Sequence, residues 1–258
     1  MQTSSNSRAA RAAIFAAALL SATAGFAASE LSAQSSDIAS DSPVVVELFT
    51  SQGCSSCPPA DAFLGELAAQ PGVIALSMHV DYWDYIGWKD PFADPKMTDR
   101  QRDYARALSS RYVYTPQMVI DGRHDVVGSH KDDVRSRIAE AAATPKPLQL
   151  RFLPDGGGKV VIPAGEVPEG GATIWLAVYD DAHETEILRG ENRGKTLRYS
   201  HVVRELEQIG TWDGTAMEIA LDLPAAAQRG RDGCAIIVQA GRGGPVLGAV
   251  AMDLTADG

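Results

Sequence analysis

The sequence has no cluster of Lys or Arg. Its 23 basic residues are scattered among 33 acidic ones, for a net charge of −10, which argues against nucleic acid and anionic membrane surfaces as partners. It also lacks a second cysteine pair. Cys54 and Cys57 stand at C-x-x-C spacing and Cys234 stands alone, so half of a structural zinc site would find no regularly spaced other half. No internal repeat is visible. Gly156-Gly157-Gly158 is followed by no helix signal and reads as a loop, not a phosphate cradle.

Charge is absent as well from Ala12 to Ala28, an alanine-rich apolar stretch behind Arg8 and Arg11. It matches a signal-peptide core and is short for a spanning helix. Residues 1–27 therefore read as an export signal, cut after Ala27 or later near Ala33, with an uncleaved membrane anchor as the alternative. No cysteine lies there, which excludes a lipoprotein anchor. Export implies an oxidising compartment, the periplasm or the extracellular space. Residues 28–42, rich in Ser, Ala, Asp and Gln, suit a flexible linker.

What remains is ordinary globular sequence, enough for one domain and a smaller companion. Val44 to Phe49 and Val73 to Val80 read as buried strands, Pro58 to Ala69 as a helix and Met97 to Arg111 as a crossover helix. Short strands at Met118–Ile120 and 126–127 flank the Asp121-Gly122 turn, and a helix follows from Lys131 to Ala143. Two prolines, Pro145 and Pro147, close this α/β region over 43–145. Beyond them, residues 146–258 show short strand-like runs between Gly, Pro and Asp clusters, which argues for a small β-rich sandwich. Within it Arg198 to Gln208 suggests a helical turn.

Gly53-Cys54-Ser55-Ser56-Cys57-Pro58-Pro59 lies where the first strand ends and the first helix starts. The free amides and positive dipole end of a helix's first turn stabilise a thiolate there, and the offset brings the second sulfur within bonding reach. Cys54 is thus the expected attacking thiol, more exposed and more acidic, and Cys57 the resolving one. Glu47 interrupts an apolar run, so its carboxyl is expected in a buried strand. His79 to Pro91 places Trp83 and Trp88 beside Asp81, Asp84 and Asp90, either as the wall of a substrate groove or as a loop pinned by its own packing. In the first reading Asp81, Trp83 and Trp88 bind substrate, with both indoles exposed near Cys54. His79 with the two cysteines offers ligands for copper or zinc. Arg189 to Lys195, with His201 and Arg204 after it, is a candidate docking loop or a solvated hairpin. Cys234 opens an apolar strand, where a thiol stays inert.

The C-x-x-C element, together with Tyr114-Thr115-Pro116-Gln117-Met118-Val119-Ile120, resembles the thioredoxin superfamily. More narrowly, Glu47 to Asp61, His79 to Trp83 and Arg189 to Gly194 resemble a bacterial family of secreted thioredoxin-like proteins of unknown function. The resemblance implies a thioredoxin-like fold, a cis Thr115–Pro116 bond against the disulfide, Pro116 and Thr115 shaping the peptide-binding edge, and Glu47 relaying protons to Cys57. The extra residue Gly53 shifts that last match by one position. The reading is then an exported thiol:disulfide oxidoreductase acting on protein thiols and disulfides, with no cofactor beyond the Cys54–Cys57 couple. The alternatives are a periplasmic metal-binding protein using the same cysteines, and a non-catalytic interaction module.

Overall fold

Strand formation begins where the β-branched run Val44-Val45-Val46 starts. The structure, a computed structural model, describes residues 42–154 and 158–254, so the expected signal segment and nearly all of the linker lie outside the described residues. The first half runs β1 (Val44–Thr50), α1 (Pro58–Ala68), β2 (Val73–His79), α2 (Pro95–Ala107), β3 (Gln117–Ile120), β4 (His124–Val127) and α3 (Lys131–Ala142), with a 3-10 turn at Asp84–Ile86. β1 pairs in parallel with β2 and antiparallel with β3. Period-2 alternation along β1 decides which helix each side chain meets. Val44, Val46 and Leu48 pack with Phe63 and Leu64 of α1 and Val134 of α3, while Val45 and Phe49 pack with Met97 and Tyr104 of α2.

The second half comprises β5 (Arg151–Phe152), β6 (Lys159–Ile162), β7 (Ala172–Glu186), β8 (Thr196–Trp212), β9 (Met217–Ala220), α4 (Leu223–Gln228), β10 (Gly233–Ala240) and β11 (Val246–Asp253). The sandwich expected here does not stand apart. Four of its strands continue the first sheet, in the order β11-β10-β7-β8-β2-β1-β3-β4. β8 joins β2 in parallel at Ser77↔Val202. β5, β6 and β9 form a second, three-stranded sheet, which lays Val160 and Ile162 on Ile174, Ile236 and Val238 of the large one.

A common core explains the continuity. Leu76 and Met78 of β2 share one buried cluster with Trp175, Val203, Leu206 and Ile237, so separating the halves would expose apolar surface on both. The described residues accordingly belong to one compact unit, a mixed α/β arrangement with helices flanking a large mixed sheet. At the far end, Gly122 (φ 64°) meets the β10–β11 turn so closely that a Cβ would sit 2.1 Å from the Gly244 carbonyl oxygen, a position no other residue fills. The proposed helical turn at 198–208 is strand, part of β8. Its charged residues alternate with the buried Leu197, Tyr199, Val203 and Leu206 across two faces, a pattern that mimics helical spacing over short windows. No helix among the described residues is long and apolar enough to cross a membrane.

Candidate functional site

Cys57 stands immediately before α1 and Cys54 three residues earlier, and the two form a disulfide with Cα atoms 5.4 Å apart. The turn between them is closed by Cys57 N donating to Cys54 O (3.3 Å). Pro58 and Pro59 are the first helical residues and carry no N–H. The next two amides, of Ala60 and Asp61, both donate to Cys57 O. Free first-turn amides are therefore not what faces the sulfurs. Hydroxyls take their place: Thr115 Oγ1 donates to Cys54 Sγ (3.3 Å) and Ser56 Oγ lies 3.4 Å from it. Cys54 is not the exposed sulfur expected of it, since Cys54 and Cys57 are 1% and 0% exposed. Solvent meets the motif at Ser55 and Ser56.

Thr115 precedes Pro116 across a cis peptide. Its hydroxyl also accepts from Trp83 Nε1 (2.8 Å), so the indole directs the Thr115 proton toward the sulfur. Trp83 closes down on the motif as well, because a Cβ at Gly53 would stand 3.1 Å from Trp83 Cβ. Trp88 Nε1 donates to Gln52 Oε1 (2.9 Å). Neither indole is exposed; both are half-buried and bound to the site's own framework. Tyr85 is the aromatic residue of this loop that protrudes, at 83% exposed. Asp81 accepts through Oδ1 from Thr98 Oγ1 on α2 (2.6 Å), and its side chain is partly exposed.

Glu47 is buried, but on the α2 face of β1, away from α1. Arg100 grips both its oxygens, through Nε and Nη2, and Tyr104 donates to it. A carboxylate so bound has no hydrogen-bond route to Cys57, and the relay role expected of it falls. The acid that does lie on the cysteine side is Asp61, one helical turn beyond Cys57. Thr50 Oγ1 donates to its Oδ1 (2.7 Å). Burial pushes its carboxyl up to about 7 against the pull of Thr50 and His79. Asp61 Oδ2, His79 Nε2, Ser77 Oγ and Tyr199 Oη are buried without hydrogen-bond partners. Sequence reasoning missed Asp61; its spacing from Cys57, i to i+4 at the start of a helix, is the signal that could have found it.

His79 Nδ1 donates to Asp90 Oδ2 (2.7 Å), with Phe92 and Tyr199 rings 5.3 and 4.9 Å from its own. Burial drives the Asp90 carboxyl up, but His79 and the amides of Gln52 and Phe92 outweigh it and hold it below the ordinary value. Among the described residues no group of three or more His, Cys, Asp and Glu is placed to hold a metal ion. Cys234 is buried in β10, and burial raises its thiol to about 12.

The docking loop expected at 189–195 is the tip of the β7–β8 hairpin, and it reaches the motif. Asn192 Nδ2 donates to Gln52 O (3.0 Å) and to Cys54 O (2.9 Å). Ser55 N donates to Glu191 Oε2 (3.3 Å). His201 and Arg204 sit lower on the ribbon: His201 Nδ1 lies 2.9 Å from Ala75 O, and Arg204 stacks over Phe92. Sequence reasoning named this loop but not the role of Asn192, whose partners lie 140 and 138 positions away.

Among curated proteins none matches this sequence. Of solved structures, protein AGR_C_4864 from Agrobacterium tumefaciens is 33% identical, with a TM-score of 0.70 over 83% of this chain and 96% of that one. HBP35 of Porphyromonas gingivalis is 12% identical, with a TM-score of 0.58 over 83% of this chain and 76% of that one, a likeness of fold. The family model described as protein of unknown function DUF1223 matches residues 45–239, from β1 to near the end of β10. The match takes in the C-x-x-C turn, the Trp83 loop and the hairpin tip alike, and the chain belongs to the DUF1223 family.

Proposed function

We propose that the chain is a thioredoxin-like thiol:disulfide oxidoreductase that exchanges disulfides with protein partners after export. The observation that carries the reading is the Cys54–Cys57 disulfide at a strand-to-helix junction, with the Thr115 hydroxyl on the leading sulfur. A hydroxyl that receives a hydrogen bond from Trp83 and gives one to Cys54 favours the thiolate over the thiol. In the reduced protein the Cys54 thiolate attacks one sulfur of a partner disulfide. A Cys54–partner bond forms, the partner's S–S bond breaks, and the departing thiolate takes a proton. Cys57 then gives up its proton and attacks Cys54 Sγ, closing the internal disulfide and expelling the first partner sulfur. Two electrons pass from the pair to the partner; run backwards, the oxidised pair takes two from a partner dithiol.

The burial of both sulfurs favours a second reading, in which the disulfide staples the start of α1 and exchanges with nothing. Reduction of insulin by the mature chain in the presence of dithiothreitol separates the two. Catalysis lost in both Cys54→Ser and Cys57→Ser supports exchange, and no rate above dithiothreitol alone supports the staple.

A further inference from the structure

The ribbon that carries Asn192 extends beyond the reach of β10 and packs its buried Leu197 and Tyr199 against Trp88 and Phe92. β10 pairs with β7 from Ala172 to Tyr179, and beyond that point residues 180–186 pair with β8 alone, across from 196–202. The register shifts between Val178 and Tyr179, and His201 takes φ 47°, a left-handed conformation rare for a residue with a side chain. The ribbon therefore bends where it leaves the sheet. Its tip is closed by Ile187 N to Lys195 O (2.9 Å) and Gly194 N to Ile187 O (2.7 Å).

Within this closed tip Asn192 is 0% exposed. Lys195 Nζ donates to its Oδ1 (2.9 Å), which assigns the amide orientation and leaves both Nδ2 hydrogens for Gln52 O and Cys54 O. Those two carbonyls flank Gly53, and Cys54 O is also the acceptor that closes the turn to Cys57. One side chain from the β-rich half thus fixes the peptide planes on which the leading cysteine is mounted. The neighbouring Gln52 is held the same way, through its Nε2 to Thr185 Oγ1 of the arm (3.2 Å).

We propose that Asn192 is a positioning residue that latches the Cys54–Cys57 turn closed, so that the β7–β8 arm governs access to Cys54. The proposal rests on the exchange reading and adds to it the part of the chain that controls it. Two hydrogen bonds to buried carbonyls are enough to change the population of an opened turn by about tenfold.

The test is the rate at which dithiothreitol reduces Cys54–Cys57 in the folded mature chain, followed by alkylation of free thiols. Asn192→Ala removes both donors, Asn192→Asp keeps the size and reverses the polarity, and Arg193→Ala is a control on the same tip. Both Asn192 variants are expected to be reduced about tenfold faster than wild type, with Arg193→Ala unchanged. If Asn192→Asp behaves as wild type, or Asn192→Ala is reduced at the wild-type rate while its near-UV circular dichroism is native, the latch is overturned. Should Asn192→Ala not fold, Lys195→Ala replaces it: this exposed side chain orients the amide, a roughly threefold acceleration is expected, and a wild-type rate overturns the proposal. Faster reduction of the Asn192 variants with no exchange by any variant against a disulfide peptide keeps the latch and overturns the exchange reading instead.

Discussion

Two buried carboxylates lie on opposite sides of the first sheet, and their surroundings give them different chemistry. Glu47 is gripped by Arg100 in a buried ion pair; Asp61 has a hydroxyl on one oxygen and no partner on the other. That Glu47 would be buried was legible from the apolar residues around it. Which face it takes depends on the helix packed opposite, and Arg100 lies 53 positions away, so its partner was not legible. Glu47→Gln should leave the Arg100 charge buried and poorly compensated, lowering stability by about 3–5 kcal/mol, with reduction of the disulfide by dithiothreitol unchanged; urea unfolding and the reduction rate check the two halves of this. For Asp61 the folded pKa, about 7, lies above the unfolded value near 3.8. Such a group contributes stability that is fully present below about pH 4 and lost as the pH rises through 7, because the native state binds the extra proton. Wild type should therefore lose on the order of 4 kcal/mol relative to Asp61→Asn between pH 4 and 8, read from urea midpoints of both proteins across that range. Parallel curves would show that Asp61 ionises like a solvated carboxyl.

At the scale of elements, α1, α2, α3 and the central strands were legible because each carries a strong period or a continuous apolar run; the six-residue α4 is too short to carry either and was not expected. β8 was not, since over 17 residues it passes from arm to sheet and its burial changes face along the way. The loop after β2 was legible as aromatic and as lying at the same sheet edge as Cys54, but not its inward turn: its indoles hydrogen-bond to Thr115 and Gln52, contacts that join segments 32 and 36 residues apart. The Trp83–Thr115–Cys54 chain makes a direct prediction. Thr115→Val keeps the shape and removes the hydroxyl, leaving the indole without its acceptor and Cys54 without the Thr115 donor. Stability should fall by about 1–2 kcal/mol, and the alkylation midpoint of Cys54 in the reduced protein should rise by roughly one pH unit. An unchanged midpoint would remove Thr115 from the thiolate's environment.

Over the whole molecule, the proline break near 145 marks a change of secondary structure that the sheet ignores. The composition shift was legible; the β2–β8 junction was not, because a parallel pairing at a single register position leaves no trace in periodicity. A chain ending at Thr144 should lack the partners of Leu76 and Met78 and show no cooperative unfolding by near-UV circular dichroism, whereas an independent first domain would unfold cooperatively. The claim at the centre of this account is that Cys54 and Cys57 exchange disulfides. The most direct test is equilibration of the protein with glutathione buffers, read by alkylation of the two thiols. Exchange chemistry predicts a midpoint within the range of about −270 to −120 mV spanned by dithiol oxidoreductases, and a couple that stays oxidised below about −300 mV would contradict it and mark a structural disulfide.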